Sequence, residues 1–137
     1  MASSRDRCPT CGFDPATVSP SDAALAARSL PRRFRAVLAR PDEEVDELLL
    51  ARLAHATAAA DALLEAARAL GRRPVDAGPS GASADAVLAR IEAGAIALAE
   101  AIERTSIDEW ERSSALATAR AGVHAGVHEL RAAERVS

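Results

Sequence analysis

The sequence predicts an all-α protein, and its composition supplies the main reasons. Alanine makes up about a quarter of the 137 residues, far above its usual share in proteins. Phe13, Phe34 and Trp110 are the only aromatic residues, and strand-forming side chains are sparse. Alanine is the strongest helix former, and its small side chain lets helices lie close together. The length fits one domain with a modest core.

The N-terminal segment is expected to be separate from the helices. Residues 1–20 should form a cysteine knuckle and a linker, and residues 21–137 a helical bundle. The knuckle is Cys8-Pro9-Thr10-Cys11-Gly12, and a stretch rich in proline and serine follows it. The division rests on this change in composition.

The first helix is expected in two pieces. Ser21 is a good N-cap for a short helix that ends near Ser29. Leu30-Pro31 should then bend or restart the chain, because proline has no N–H to donate inside a helix. A second piece is predicted to begin at Pro31 and to end near Arg40.

A long second helix is expected to begin at Asp42-Glu43-Glu44, where negative charge suits a helix N-terminus. It should run to about Leu70, with Gly71 as its C-cap. Residues 72–82 contain two prolines and two glycines, so they are predicted to form a loop.

Two further helices follow the loop. Ser83 can cap a helix over Ala84–Arg104, whose apolar residues recur at helical spacing. After a short connection that carries Trp110, Ser113 or Ser114 should cap a last helix that ends near Ala133. Four major helical segments around one core predict a four-helix bundle, a fold that builds metal sites from side chains on facing helices.

Charge and hydropathy narrow the function classes. The net charge is −3, which disfavours non-specific nucleic-acid binding by the whole surface. The arginines Arg28, Arg32, Arg33, Arg35 and Arg40 form a local exception, for which a solvated helix face is favoured over a phosphate-binding patch. The polar start lacks a signal peptide and no apolar run is long enough to span a membrane, so the predicted location is the cytoplasm.

The three histidines are the candidate metal ligands. His124 and His128 lie four residues apart on the last helix, so both rings project from one face and can reach one ion. His55 lies at the edge of the apolar face of the second helix, and the three imidazoles can converge if these two helices pack together. A surface histidine pair with a separate His55 is the equally open alternative. Gly122 and Gly126 indicate close approach by a neighbouring helix or a ligand.

Cys8 and Cys11 are rival or additional ligands. A single CxxC knuckle is half of a zinc site, and in a cytoplasmic protein a metal role is favoured over a disulfide. The other half could be Cys8 and Cys11 of a second copy, which gives a four-cysteine site across a homodimer. His124 and His128 could also complete a closed, structural two-Cys, two-His site.

Several short motifs spread along the chain are shared with one subgroup of a known family. They are Cys8-Pro9-Thr10-Cys11-Gly12-Phe13-Asp14, Pro31-Arg32-Arg33-Phe34-Arg35, Ala54-His55, Trp110-Glu111-Arg112 and His124-Ala125-Gly126-Val127-His128-Glu129-Leu130. Through them the sequence resembles the DinB-like superfamily of bacterial metal-binding four-helix bundles. The resemblance implies an up-down-down-up bundle with a long crossover, and an ion held by His55, His124 and His128.

The resemblance also implies a chemistry. Three imidazoles and a water leave an open coordination position, and Zn²⁺ or Ni²⁺ suits such ligands. Relatives include transferases and isomerases that use mycothiol or bacillithiol, so a metal-dependent thiol transferase, isomerase or hydrolase is expected, with mycothiol favoured and a small molecule as substrate. The alternative is a non-catalytic metal-binding or interaction protein. Glu129 follows His128 and could support the ligand or act as a base, but a solvated helix face is favoured. Arg52, one turn before His55, could meet a substrate carboxylate, but an ordinary salt bridge is favoured.

Overall fold

The computed structural model describes residues 20–39, 46–71, 74–76, 81, 83–105 and 115–136. Nearly all of them lie in four α-helices, which are α1 (Pro20–Leu38), α2 (Asp46–Gly71), α3 (Ala84–Arg104) and α4 (Ala115–Arg135). No strand occurs within these ranges. The prediction of an all-α four-helix bundle is confirmed.

Several sequence-based predictions concern residues outside the described ranges. These are the knuckle with Cys8 and Cys11, the division at residue 20, the acidic start Asp42-Glu43-Glu44, Trp110, and the caps Ser113 and Ser114. They stay predictions. The first helix, by contrast, ends within the described ranges at Leu38, two residues before the predicted end near Arg40.

Helix α2 is the central element of the bundle. It packs extensively against both α3 and α4, whereas α1 packs mainly against α3 and less against α4. Contact between α1 and α2 is slight, and α3 and α4 make no substantial contact in the described part of the chain. The helices therefore lie in the order α1, α3, α2, α4 around the core, with consecutive pairs α1–α2 and α3–α4 on the diagonals.

Close contacts between α2 and α3 give their relative direction. A Cβ atom placed on Gly94 of α3 would lie 3.0 Å from the Cβ of Leu63, and one on Gly71 would lie 3.8 Å from the Cβ of Ala101. From the first contact to the second, the residue number rises in both helices, from 63 to 71 in α2 and from 94 to 101 in α3. Helices α2 and α3 therefore run parallel.

The direction of α4 follows in the same way. Gly122, near its start, lies against Ala66, and Glu129, near its end, lies against His55, so α4 is antiparallel to α2. Helix α1 approaches α4 through Leu30 beside Gly126 and Arg33 beside Glu134, so these two helices run parallel. The helix directions are up, down, down, up.

Among the described residues, the core is made of alanine and branched aliphatic side chains, with Phe34 as its one aromatic residue. Phe34, Leu30, Leu63, Ile91, Leu98, Ile102 and Leu130 are fully buried, and alanines fill the space between them. Because alanine adds little bulk, the helices can approach closely. At Gly122 the approach leaves no room for a side chain, because an added Cβ would overlap the Cβ of Ala66. The close approach predicted for Gly122 is therefore made by a neighbouring helix.

The predicted break at Leu30-Pro31 is wrong, because α1 is one continuous helix with Pro31 inside it. Proline removes one hydrogen bond and disfavours the helical conformation of the residue before it. Here Leu30 is fully buried on the same face as Ala27 and Phe34, and this packing continues across the proline. The burial of one face thus outweighs the local cost.

Ser21 lies inside the first turn, since α1 begins at Pro20, a residue suited to that turn.

The other boundaries agree more closely with prediction. Helix α3 spans the predicted residues, and the Ser83 hydroxyl accepts a hydrogen bond from the backbone N–H of Ala86 at 3.2 Å. Gly71 is the last residue of α2 and has no positive φ, so the left-handed cap expected there is absent. Helix α4 ends at Arg135, two residues beyond the prediction.

Arg52 of α2 is the one charged residue that is buried among those described, with 2% of its surface exposed. Its Nη2 donates a hydrogen bond to the backbone carbonyl of Val136 at 3.0 Å. That carbonyl lies just past the end of α4, where unpaired carbonyls carry partial negative charge. Arg52 therefore ties α2 to the C-terminal end of α4.

We predict that Gly122→Ala destabilises the fold. The new Cβ would overlap Ala66, and overpacking of this kind costs about 1–3 kcal/mol. Gly71→Ala is the matched control, because its Cβ would meet Ala101 at an ordinary 3.8 Å. Urea unfolding should show the loss for Gly122→Ala and a change within about 0.5 kcal/mol for Gly71→Ala. Equal stability of the two variants would contradict the close approach.

We also predict that Arg52→Ala lowers the free energy of unfolding by about 2–4 kcal/mol, because it leaves a cavity and a carbonyl without its donor. Arg68→Ala removes an exposed arginine from the same helix and should change stability by at most about 0.5 kcal/mol. Thermal unfolding of the two variants checks this. Similar small effects for both would show that the buried guanidinium does not hold α4.

Candidate metal-binding histidines

The histidine pair on α4 has the geometry that the sequence predicts. The ring centroids of His124 and His128 lie 5.9 Å apart, with the ring planes inclined by 59°. Both side chains are half-buried. Two histidines four residues apart on a helix is the spacing with which helical zinc motifs hold an ion, so both rings can donate to one metal.

His55 of α2 contacts α4, but its partner there is a carboxylate. Its Nδ1 lies 2.5 Å from Oε2 of Glu129. Since a carboxylate only accepts hydrogen bonds, the ring nitrogen donates. The His55 side chain is 36% exposed and that of Glu129 is 26% exposed, so water surrounds the pair only in part.

Glu129 and the histidine pair lie on different faces of α4. Glu129 follows His128 by one residue, which turns it by about 100° around the helix axis, and follows His124 by five, about 140°. The face that carries Glu129 is turned towards α2, since Gly122 and Gly126 of α4 lie against Ala66 and Leu63 of α2. The histidine pair therefore projects from a face other than the one that meets His55.

The structure thus brings His124 together with His128, and His55 together with Glu129. Within the described ranges, no group of three or more His, Cys, Asp or Glu side chains is placed to hold a metal ion. The imidazoles suit a divalent ion chemically, and the α4 pair suits one geometrically. The complete three-histidine set stays a prediction, as do Cys8 and Cys11.

Sequence reasoning did not find the role of Glu129, for which it favoured a solvated helix face. The structure pairs this residue with His55 across the interface of α2 and α4. Both residues lie at the edge of the apolar stripe of their own helix, which is a signal that the sequence carries. Their pairing depends on how the two helices are aligned, and that alignment is not visible in either helix alone.

The arginines of α1 are partly neutralised by other helices. Arg28 donates from Nε and Nη2 to Oε1 of Glu103 at 3.0 and 2.6 Å, and Arg33 donates to Glu134 at 3.1 Å. Arg32 and Arg35 are exposed to solvent on the same helix. The arrangement is that of an ion-paired, solvated helix face, the interpretation favoured from the sequence.

A cleft of about 290 Å³ lies between α2 and α4, away from the histidines. Its lining residues are small or polar: Ala62, Glu65, Ala66, Thr118, Ala121 and Gly122. None of the three histidines is among these described lining residues. The cleft is therefore not a substrate pocket of the histidine pair.

No protein-family model matches the sequence, and no curated protein or solved structure matches it either. The resemblance to the DinB-like superfamily stays a prediction. None of the described helices has the length and apolar character that crossing a membrane requires.

Proposed function

We propose that this four-helix bundle binds a divalent transition-metal ion, with His124 and His128 as its first two ligands. The observation that carries the proposal is the 5.9 Å separation of the two rings on one half-buried face of α4. Imidazole nitrogens suit Zn²⁺ and Ni²⁺ in particular. Half-burial supports binding, since it limits the rotamers that each ring must give up.

The remaining protein ligands are the open part of the proposal. The sequence and the DinB-like resemblance name His55 as the third ligand, and Cys8 with Cys11 are the rivals. With a water in the last position, the ion would acidify that water or a bound thiol and so supply a nucleophile. If the cysteines complete the site instead, the ion is structural.

Zinc titration of the full chain tests the histidine pair. Calorimetry should show saturable binding, and His124→Ala and His128→Ala should each weaken it by more than about tenfold, because even an outer partner of a metal ligand is worth roughly 10–100-fold. Arg131→Ala is the matched control, because it removes an exposed, non-ligating side chain one turn beyond His128. Binding that survives both histidine substitutions would refute the proposal.

The same titration of Cys8→Ser and Cys11→Ser separates the alternatives. Unchanged affinity supports a site built from histidines. A loss as large as that of His124→Ala supports the structural two-Cys, two-His site. If zinc binding vanishes with the cysteines and also requires dimerisation, measured by light scattering, the four-cysteine site between two copies is correct.

The finer hypothesis, which rests on the resemblance, is that the bound ion activates mycothiol for transfer to a small molecule, or for isomerisation or hydrolysis. Cobalt in place of zinc gives a visible spectrum that reports thiolate binding. Added mycothiol should produce a thiolate-to-cobalt charge-transfer band in the wild type and none in His124→Ala. A wild-type spectrum that mycothiol leaves unchanged would favour the non-catalytic metal-binding protein.

A further inference from the structure

We infer that His55 and Glu129 form a polar lock that aligns α4 with α2, and that His55 consequently lies outside the ligand set of the ion. The claim about alignment stands on the described contacts alone. The claim that His55 is not a ligand rests on the proposed metal binding by His124 and His128.

The lock is one of four contacts that run in order along the interface of α2 and α4. From one end of the interface to the other, the pairs are Ala66 with Gly122, Leu63 with Gly126, His55 with Glu129, and Arg52 with Val136. The series covers about four turns of each helix. Its first half is apolar and its second half is polar.

The apolar half does not define the alignment by itself. Gly122 and Gly126 are four residues apart, so a shift of α4 by one turn would place one glycine where the other now lies against Ala66. Ala62 precedes Ala66 by the same spacing on α2. Small residues repeated at this spacing permit close packing in more than one alignment.

The polar contacts, those of His55 and Arg52, do define the alignment of α4 on α2. The same one-turn shift would move Glu129 about 5.4 Å along the axis and away from Nδ1 of His55, and would remove the Val136 carbonyl from Arg52. A half-buried carboxylate and a buried guanidinium would then lose the partners they have in the observed alignment. Polar contacts of this kind select one alignment of packed helices among several that apolar contacts allow.

The lock also separates His55 from the α4 histidine pair. His55 meets the face of α4 that is turned towards α2, whereas His124 and His128 project from a face about 100–140° further round. No set of three ligand-type side chains in the described ranges gathers around one point. We therefore assign the ion to the α4 pair and assign His55 to the helix interface.

A double-mutant cycle tests the lock in the metal-free full chain. His55→Ala and Glu129→Ala should each lower Tm by about 2–6 °C, and the double variant should fall no further than the worse single one. The control cycle pairs His55→Ala with Glu65→Ala, an exposed glutamate on the same helix, and should be additive. Additive losses for His55 and Glu129 would overturn the lock.

The alignment itself has a separate readout. In amide NMR spectra of the wild type, Gly122 and Gly126 should each give one sharp signal. In the His55→Ala, Glu129→Ala double variant, these two signals should broaden or double as shifted alignments become populated. Single, sharp glycine signals in the double variant would show that the apolar contacts alone set the alignment.

Zinc affinity tests the claim that His55 is not a metal ligand. His55→Ala should bind Zn²⁺ within about twofold of the wild type, while His124→Ala loses more than about tenfold. A loss above tenfold for His55→Ala would make His55 a ligand and overturn this assignment. If the wild type binds no zinc, the proposed function fails. The double-mutant cycle and the glycine signals then still test whether His55 and Glu129 align the two helices.

Discussion

The close approach of α2 and α4 is the constraint on which the rest of the structure depends. At Gly122 the two backbones are so near that the Cβ of Ala66 occupies the place of a second side chain. Such an approach is open only to helices with very small residues where they cross. It explains why a chain with few large apolar residues still forms a bundle, since contact area gained by proximity replaces area gained by bulk.

Close packing by small residues allows more than one alignment of α4 on α2. The polar contacts at the other end of the interface select one of them. Arg52 is buried and reaches a backbone carbonyl past the last turn of α4, and His55 reaches Glu129 about two turns earlier on α4. Buried polar groups contribute little net stability when paired, but they are costly when misplaced. Their effect is therefore to exclude shifted alignments. The same alignment leaves His124 and His128 on a face that α2 does not cover.

The local signals in the sequence predicted the elements well and their meeting points poorly. Ser83 marked the start of α3 because capping depends on neighbours within one turn. Pro31 was misleading because its local cost is offset by Leu30 and Phe34, whose burial depends on other helices. Glu129 was missed for the same reason, since its partner is 74 residues away in the chain. The histidine pair was found because both members lie on one helix.

The central claim is that α4 has two distinct faces: one held against α2 by Glu129 and His55, and one with His124 and His128 that we propose binds the metal ion. A crystal structure of the zinc-loaded chain, with an anomalous-difference map at the zinc edge, tests it most directly. The account predicts one anomalous peak within bonding distance of both α4 histidines, with His55 still hydrogen-bonded to Glu129. A peak bound by His55 together with the pair, or one bound by Cys8 and Cys11 without it, would contradict the account.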